Sequence, residues 1–143
     1  MDFNGKYADT NVPVRELMYE TWSQLHGSQL HTWDKSYYFP VAEEAKKLLR
    51  LVDNGTLRWL EEVQDCDNLA IDVSAQINRV VVREGLRGAQ LAFGRIAGRF
   101  KYAGKHMANI MILDTGEIWL PEPQNGVIYS PDDVEEVWWI SIP

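Results

Sequence analysis

Cysteine and positive charge are both scarce in this sequence, and each scarcity excludes a class of protein. Cys66 is the only cysteine among the 143 residues, so no disulfide can form within the chain. The formal net charge is -7 and the pI is about 4.9. Because binding to phosphates needs a local excess of lysine and arginine, this acidity predicts no nucleic acid partner.

Long apolar runs and targeting signals are lacking as well. No stretch approaches the roughly 18 apolar residues that cross a bilayer, which predicts no membrane partner. Residues 1–6 have neither the basic start nor the apolar run of a signal peptide. Together with the single cysteine, these absences predict a protein that is kept in the reducing cytoplasm.

The length and the 45% hydrophobic content are typical of one domain with one core, which we assign to residues 1–143. Residues 1–64 favour helices, because apolar side chains recur there at helical spacing. Residues 65–143 favour a third helix and then strands at 90–96, 107–113, 117–120 and 137–142. Helices followed by a mostly antiparallel sheet predict the α+β class, with the N-terminal helices packed on a small sheet.

Cys66 stands at the start of the third predicted helix, between Asp65 and Asp67. The unpaired N–H groups and the dipole of a helix N-terminus favour a thiolate, and Asp65 as N-cap would place Cys66 in the first turn. The two aspartates are like charges that would raise the pKa of the thiol if they pointed at it. We therefore expect their carboxylates to face the backbone or a cation.

A hairpin register connects a histidine with an acid downstream. Residues 113–117 suit a three-residue loop with Gly116 in the left-handed region, which pairs Leu113 with Glu117. Counting back from that pair places His106 and Glu122 on one face of the sheet. A two-residue loop would shift the register by one residue and send the acid to the other face.

This register predicts a nucleophilic site. Cys66 would act as nucleophile, His106 as proton shuttle and Glu122 as the acid that orients the imidazole. Gln124 or a backbone N–H of the Cys66 turn is the candidate for stabilising an oxyanion, and Asn109, three residues after His106, is a further candidate for that role or for positioning a substrate. A structural interpretation stays open, since a lone cysteine is more often a small buried hydrophobe and a lone histidine more often a surface or satisfied core residue.

The aromatic segment 33–39 has two interpretations. Its tryptophan and tyrosine faces could form a platform for a sugar, or the rings could pack in the core. Packing is the commoner use of aromatic side chains near a core. The sequence alone leaves both open.

Several motifs resemble a known family. They are the Asp-Cys-Asp element at 65–67, Ala-Phe-Gly at 92–94, His106, Gly116 and Glu-Pro-Gln at 122–124. Together they resemble the papain-like cysteine protease domain that forms the C-terminal part of the Marasmius oreades agglutinin, similar forms of which stand alone in bacterial and phage proteins. The resemblance covers roughly residues 65–129, and Met107 departs from the alanine that usually follows the histidine.

The resemblance implies a papain-like fold and a cysteine, histidine and glutamate triad at Cys66, His106 and Glu122. It also implies a requirement for calcium, for which Asp65 and Asp67 are the nearest oxygen ligands, although they are too few for a full shell. The sugar-binding β-trefoil domain of the agglutinin has no counterpart here, so lectin activity is not implied.

From these observations we predict a cysteine peptidase or amide hydrolase that acts on a protein or peptide. One alternative is a non-catalytic structural or adaptor module that binds partner proteins in a phage-type assembly. Another is a peptidoglycan amidase with the same chemistry. A phage origin would change the predicted location to the host cytoplasm or the virion.

Overall fold

The fold is described from a computed structural model, which defines residues 1–52 and 66–143. Within these ranges the helices are α1 (Val12–Thr21), α2 (Ala42–Arg50) and α3 (Cys66–Arg83). Short 3-10 helices lie at Gly27–Gln29 and Pro131–Asp133. The strands are β1 (Lys6–Ala8), β2 (Leu30–His31), β3 (Tyr37–Phe39), β4 (Gln90–Leu91), β5 (Phe93–Phe100), β6 (Gly104–Ile112), β7 (Ile118–Pro121), β8 (Ile128–Tyr129) and β9 (Val134–Ser141).

The strands form two sheets. A three-stranded sheet has the order β1-β3-β4, and a six-stranded sheet has the order β2-β9-β5-β6-β7-β8. Most neighbours in the larger sheet are antiparallel, whereas β2 runs parallel to β9. The predicted α+β class is confirmed, and its finer description as papain-like stays a prediction.

The larger sheet separates two apolar cores because side chains alternate between its faces. Ala108, Ile110 and Ile112 of β6 belong to the core that contains α1, while Met111 belongs to the core that contains α2 and α3. All four side chains are buried. The helices therefore cover both faces of the sheet, and the middle strands are apolar on both sides.

The β6–β7 hairpin has the predicted register. Gly116 adopts φ of 85°, the Leu113 N–H donates to the Glu117 carbonyl at 2.9 Å, and Ile112 pairs with Ile118. The positive φ explains the need for glycine, since a Cβ would be strained there. This turn fixes which residues of the two strands share a face.

The N-terminal part differs from the prediction of helices alone. It contains β1, β2 and β3 in addition to α1 and α2. Tyr37 and Tyr38 in β3 are fully buried, so these members of the aromatic segment pack in the core, while Trp33 is 77% exposed. Strands of two or three residues are too short to show a periodicity, and pairing with distant partners decides them.

No helix in the described ranges is both long enough and apolar enough to span a bilayer.

Candidate functional site at the end of the central sheet

Within the described residues, helix α3 runs from Cys66 to Arg83, so Cys66 lies at its N-terminal end. The helix forms because Leu69, Val73, Ile77 and Val80 repeat on one face and are buried against the sheet. This packing places the half-buried thiol of Cys66 at the helix N-terminus, where the backbone N–H groups favour an anion. Asp65 lies outside the described residues, so its predicted role as N-cap stays a prediction.

His106 and Glu122 meet at the end of the central sheet. His106 lies in β6 opposite Gly98, and Glu122 follows directly after Pro121, the last residue of β7. His106 Nε2 is 2.6 Å from Glu122 Oε2. Only 8% of the His106 side chain and 6% of the Glu122 side chain are exposed, so water screens this bond weakly.

The turn after β7 holds the Glu122 carboxylate in place. The backbone N–H of Gln124 donates to Glu122 Oε1 at 3.3 Å. The Glu122 N–H donates to the Val127 carbonyl at 2.8 Å, and the Gly126 N–H donates to the Glu122 carbonyl at 2.7 Å. Both oxygens and the backbone of the acid are therefore engaged, which limits its rotamers.

The Cys66 thiol forms a hydrogen bond with the His106 ring, and this bond is the largest cause of a lowered pKa for Cys66. Partial burial and the charge of Asp67 act in the opposite direction, and the backbone of Met107 adds a hydrogen bond that lowers the pKa. The predicted conflict between the thiolate and Asp67 is therefore present, but the contact with His106 outweighs it.

The pKa of His106 changes in the complementary direction. Burial disfavours the charged ring, but the hydrogen bonds with Cys66 and Glu122 outweigh it and raise the pKa from 6.5 to about 9. Because Nε2 faces Glu122, Nδ1 is left for the thiol. The two shifts together favour a thiolate beside an imidazolium, which can act as nucleophile and proton donor.

An open cleft lies in front of this pair. Its volume is about 460 Å³, and its walls include Tyr102, Lys105, Gln124, Asn125 and Tyr129 in addition to the three central residues. Gln124 therefore lies at the site, as predicted. The two tyrosines are functional candidates that the sequence interpretation missed, although Tyr102 stands only four residues before His106, in the turn between β5 and β6.

The prediction for Asn109 is wrong. Its side chain is fully buried, and Nδ2 donates to the Ala70 carbonyl, to Ser74 Oγ and to the Gly94 carbonyl at 3.0 to 3.1 Å. Strand alternation is the cause, since Asn109 is three residues from His106 and so faces the opposite side of β6. Asn109 ties α3 to the sheet and does not reach the cleft.

The predicted calcium ligands give no metal centre within the described residues. No group of three or more histidine, cysteine, aspartate or glutamate side chains in the ranges 1–52 and 66–143 is arranged to hold a metal ion. Asp67 lies within these ranges and Asp65 outside them. A calcium requirement therefore stays a prediction from the resemblance alone.

No protein-family model and no curated protein matches the chain. Solved structures with the same fold include the PSL1a-E64 complex, with a TM-score of 0.77 and 16% identity over 94% of this chain and 50% of that chain. Another is Polyporus squamosus lectin bound to the human-type influenza-binding epitope Neu5Aca2-6Galb1-4GlcNAc, with a TM-score of 0.74 and 19% identity over 94% of this chain and 49% of that chain. The chain thus spans about half the length of each.

These structures correct the functional prediction. The fold is shared with lectin structures, so the predictions of a cysteine peptidase, an amide hydrolase or a peptidoglycan amidase are wrong, and the phage-type adaptor has no support. At this identity the likeness establishes the fold, and the chain is similar over most of its length to about half of a lectin.

Proposed function

We propose that this chain is a binding module that captures an electrophilic ligand covalently at Cys66. The observation that carries the proposal is the double contact of His106, whose ring hydrogen bonds to the Cys66 thiol and to the Glu122 carboxylate. An ordinary thiol is mostly protonated at neutral pH, whereas a thiol paired with an imidazolium is a thiolate ready to react.

The capture step follows from the positions of the three groups. The Cys66 thiolate attacks an electrophilic carbon, such as a carbon of an epoxide, and a C–S bond forms as the C–O bond breaks. The resulting alkoxide takes the proton of the His106 imidazolium, which becomes neutral. Glu122 holds the ring with Nδ1 toward the thiol, and no oxidant or further reactant is required.

Two further observations support the proposal. The similar PSL1a was solved as a complex with E64, which makes this epoxide a reasonable probe for the present chain. The order of a thiol at a helix start, a histidine on a strand and an acid after the next strand also supports the predicted papain-like arrangement of the fold. Protein or peptide ligands stay a prediction within this proposal.

Labelling kinetics test the proposal. We expect E64 and iodoacetamide to modify native Cys66 at pH 7 about tenfold faster than the denatured chain, because the denatured thiol is only a few per cent ionised. Intact-mass spectrometry follows the adduct, and Cys66→Ala shows that the label is on this residue. His106→Ala should lose the advantage, whereas His26→Ala, a matched change at an exposed histidine, should keep it.

A native Cys66 that reacts no faster than the denatured thiol with either reagent would overturn the proposal. So would a His106→Ala variant that is folded, as judged by circular dichroism, and still reacts at the native rate.

A second candidate function is saccharide binding at Trp33. The indole is 77% exposed and lies nearly parallel to the His31 ring, with 6.3 Å between centroids and 10° between planes. Asp34, Lys35 and Gln90 border the same open cavity of about 550 Å³. A fixed aromatic face with polar neighbours suits the C–H face and hydroxyls of a sugar, and the similar lectin was solved with a glycan epitope.

A glycan array followed by NMR titration tests this candidate. Trp33→Ala should abolish binding to the glycans on the array that bind the native chain. Tyr7→Ala should leave this binding unchanged, since Tyr7 is also exposed but lies outside this cavity. An array on which the native chain and Trp33→Ala give the same signals would reject a sugar site at Trp33.

A further inference from the structure

The cleft at Cys66 has an aromatic wall made of Tyr102 and Tyr129. Their rings are stacked, with 3.9 Å between centroids and 15° between planes. Tyr102 belongs to the turn between β5 and β6, and Tyr129 belongs to β8, the strand at the edge of the large sheet. The stack therefore bridges two elements that are not neighbours in the sheet, across the end of β7 where Glu122 lies.

The wall reaches the His106 ring. Tyr102 lies against it edge-on, with 6.0 Å between centroids and 72° between planes, and Phe100 lies against it with 5.2 Å and 89°. Phe100 is itself fully buried, so its contact is fixed by the core. Tyr102 is 40% exposed, and its ring packs edge-on against Phe100, with 5.8 Å between centroids and 61° between planes, as well as stacking on Tyr129.

The turn that carries Tyr102 is anchored on its other side. The Lys101 N–H donates to the Asp133 carbonyl at 2.9 Å, and Gly104 closes the turn with φ of 67°. Because the backbone is held at both ends and the ring is stacked, Tyr102 has little freedom to leave the imidazole. Burial and the nearby charge of Glu122 raise the pKa of Tyr102, which places its phenol in the same environment as the carboxylate.

We propose that Tyr102, clamped by Tyr129, is a positioning residue that holds the His106 ring in the orientation serving both Cys66 and Glu122. The inference rests on the proposed function of this site. An imidazole has two ring nitrogens in fixed directions, so a rotation that keeps one hydrogen bond breaks the other. The wall blocks that rotation and keeps water from the bond between His106 and Glu122.

The test compares three substitutions at Tyr102 with one at a distant tyrosine pair. Tyr102→Phe keeps the ring and should behave as the native chain, whereas Tyr102→Ala and Tyr102→Leu remove the ring stack. Tyr7→Ala is the matched control, because Tyr7 is a partly exposed tyrosine packed on Tyr38 with 4.8 Å between centroids. The readouts are the pH midpoint of Cys66 alkylation and the pKa of His106 measured by NMR.

We expect Tyr102→Ala and Tyr102→Leu to raise the pH midpoint of alkylation, to lower the pKa of His106, and to slow labelling at pH 7 by about three- to tenfold. Tyr102→Phe should keep the native pH midpoint and the native pKa of His106. Tyr129→Ala should shift both values in the same direction as Tyr102→Ala. If Tyr102→Ala does not fold, the leucine variant and Tyr129→Ala carry the test.

The failures are distinguishable. Slow labelling of the native chain rejects the proposed function itself. Fast labelling of the native chain together with unchanged midpoints in the folded Tyr102 and Tyr129 variants rejects only the positioning role. Equal shifts in Tyr7→Ala would also reject it, since they would reflect a general loss of stability.

Discussion

His106 Nε2 and Glu122 Oε2 lie 2.6 Å apart, and more than nine-tenths of each side chain is buried. A bond of this length between a ring N–H and a carboxylate is charge-assisted and is stronger than a neutral hydrogen bond. Because the ring also contacts the Cys66 thiol, the acid influences a sulfur atom that it does not touch. The ionisation of the Cys66 thiol thus depends on Glu122, a residue that directly follows strand β7.

Substituting the acid should therefore weaken the thiolate. Glu122→Gln keeps the shape and removes the charge, so the pKa of His106 should fall from about 9 toward its ordinary value and the pKa of Cys66 should rise. A lost charge-assisted bond of about 1.5 to 3 kcal/mol corresponds to labelling that is about tenfold or more slower at pH 6. Histidine NMR titration and iodoacetamide kinetics measure the two effects.

Glu117→Gln is the matched control for this experiment. Glu117 is an exposed glutamate in the turn before β7, so its loss should change neither pKa. Identical His106 titration curves for the native chain and Glu122→Gln would contradict the role given to the acid.

The pH dependence of stability should reveal whether the pair is ionised. Folding raises the pKa of His106, which alone gives stability that is complete below pH 6.5 and is lost as the pH rises to about 9. Folding lowers the pKa of Cys66, which alone gives stability that is complete above its ordinary pKa of 9.0 and is lost as the pH falls. If the folded pair is a thiolate and an imidazolium, it binds one proton, as does the unfolded chain between the ordinary pKa values of 6.5 and 9.0, so the two contributions offset there.

Urea unfolding of the native chain and of Cys66→Ala between pH 7 and 8.5 measures this balance. The native free energy of unfolding should be flat with respect to this pair. Cys66→Ala removes one of the two hydrogen bonds that raise the pKa of His106 and leaves the bond with Glu122, so a smaller histidine contribution remains and should decline over the interval. All other titrating groups are the same in both proteins and cancel in the comparison. If the free energy of unfolding of the native chain declined with rising pH as much as that of Cys66→Ala, the folded thiol would be neutral.

The sequence predicted the parts of the site that depend on local chemistry. Gly116 selects the turn, the turn sets the register, and the register brings His106 and Glu122 to one face. The aromatic wall was not predicted, because it depends on strand β8, whose two residues show no pattern and are placed by pairing with β7. Tyr102 and Tyr129 become neighbours only through that pairing.

The small sheet escaped prediction for the same reason. The sequence of strand β3 resembles that of an aromatic loop. Its pairing with β1 and β4 is determined by tertiary contacts of the buried Tyr37 and Tyr38 rings. Hydrogen bonds add to this: the Tyr37 hydroxyl donates to the Ile142 carbonyl at 2.9 Å, and the Tyr38 hydroxyl donates to the buried Glu44 carboxylate. None of these partners is near β3 in sequence except Glu44.

Asn109 should prove structural. Its amide donates to acceptors on α3 and on β5, so Asn109→Ala leaves buried carbonyls with fewer partners and should lower the free energy of unfolding by about 2 to 4 kcal/mol. Asn78→Ala is the matched control, since Asn78 is exposed on the same helix and accepts one bond from Gln90; its cost should stay below about 1 kcal/mol. Urea unfolding gives both values. Under folding conditions, Cys66 of Asn109→Ala should react with iodoacetamide within about twofold of the native rate, because the amide does not reach the cleft. If Asn109→Ala were instead as stable as Asn78→Ala and Cys66 reacted slowly in it, Asn109 would have a role in positioning the ligand and the structural assignment would be wrong.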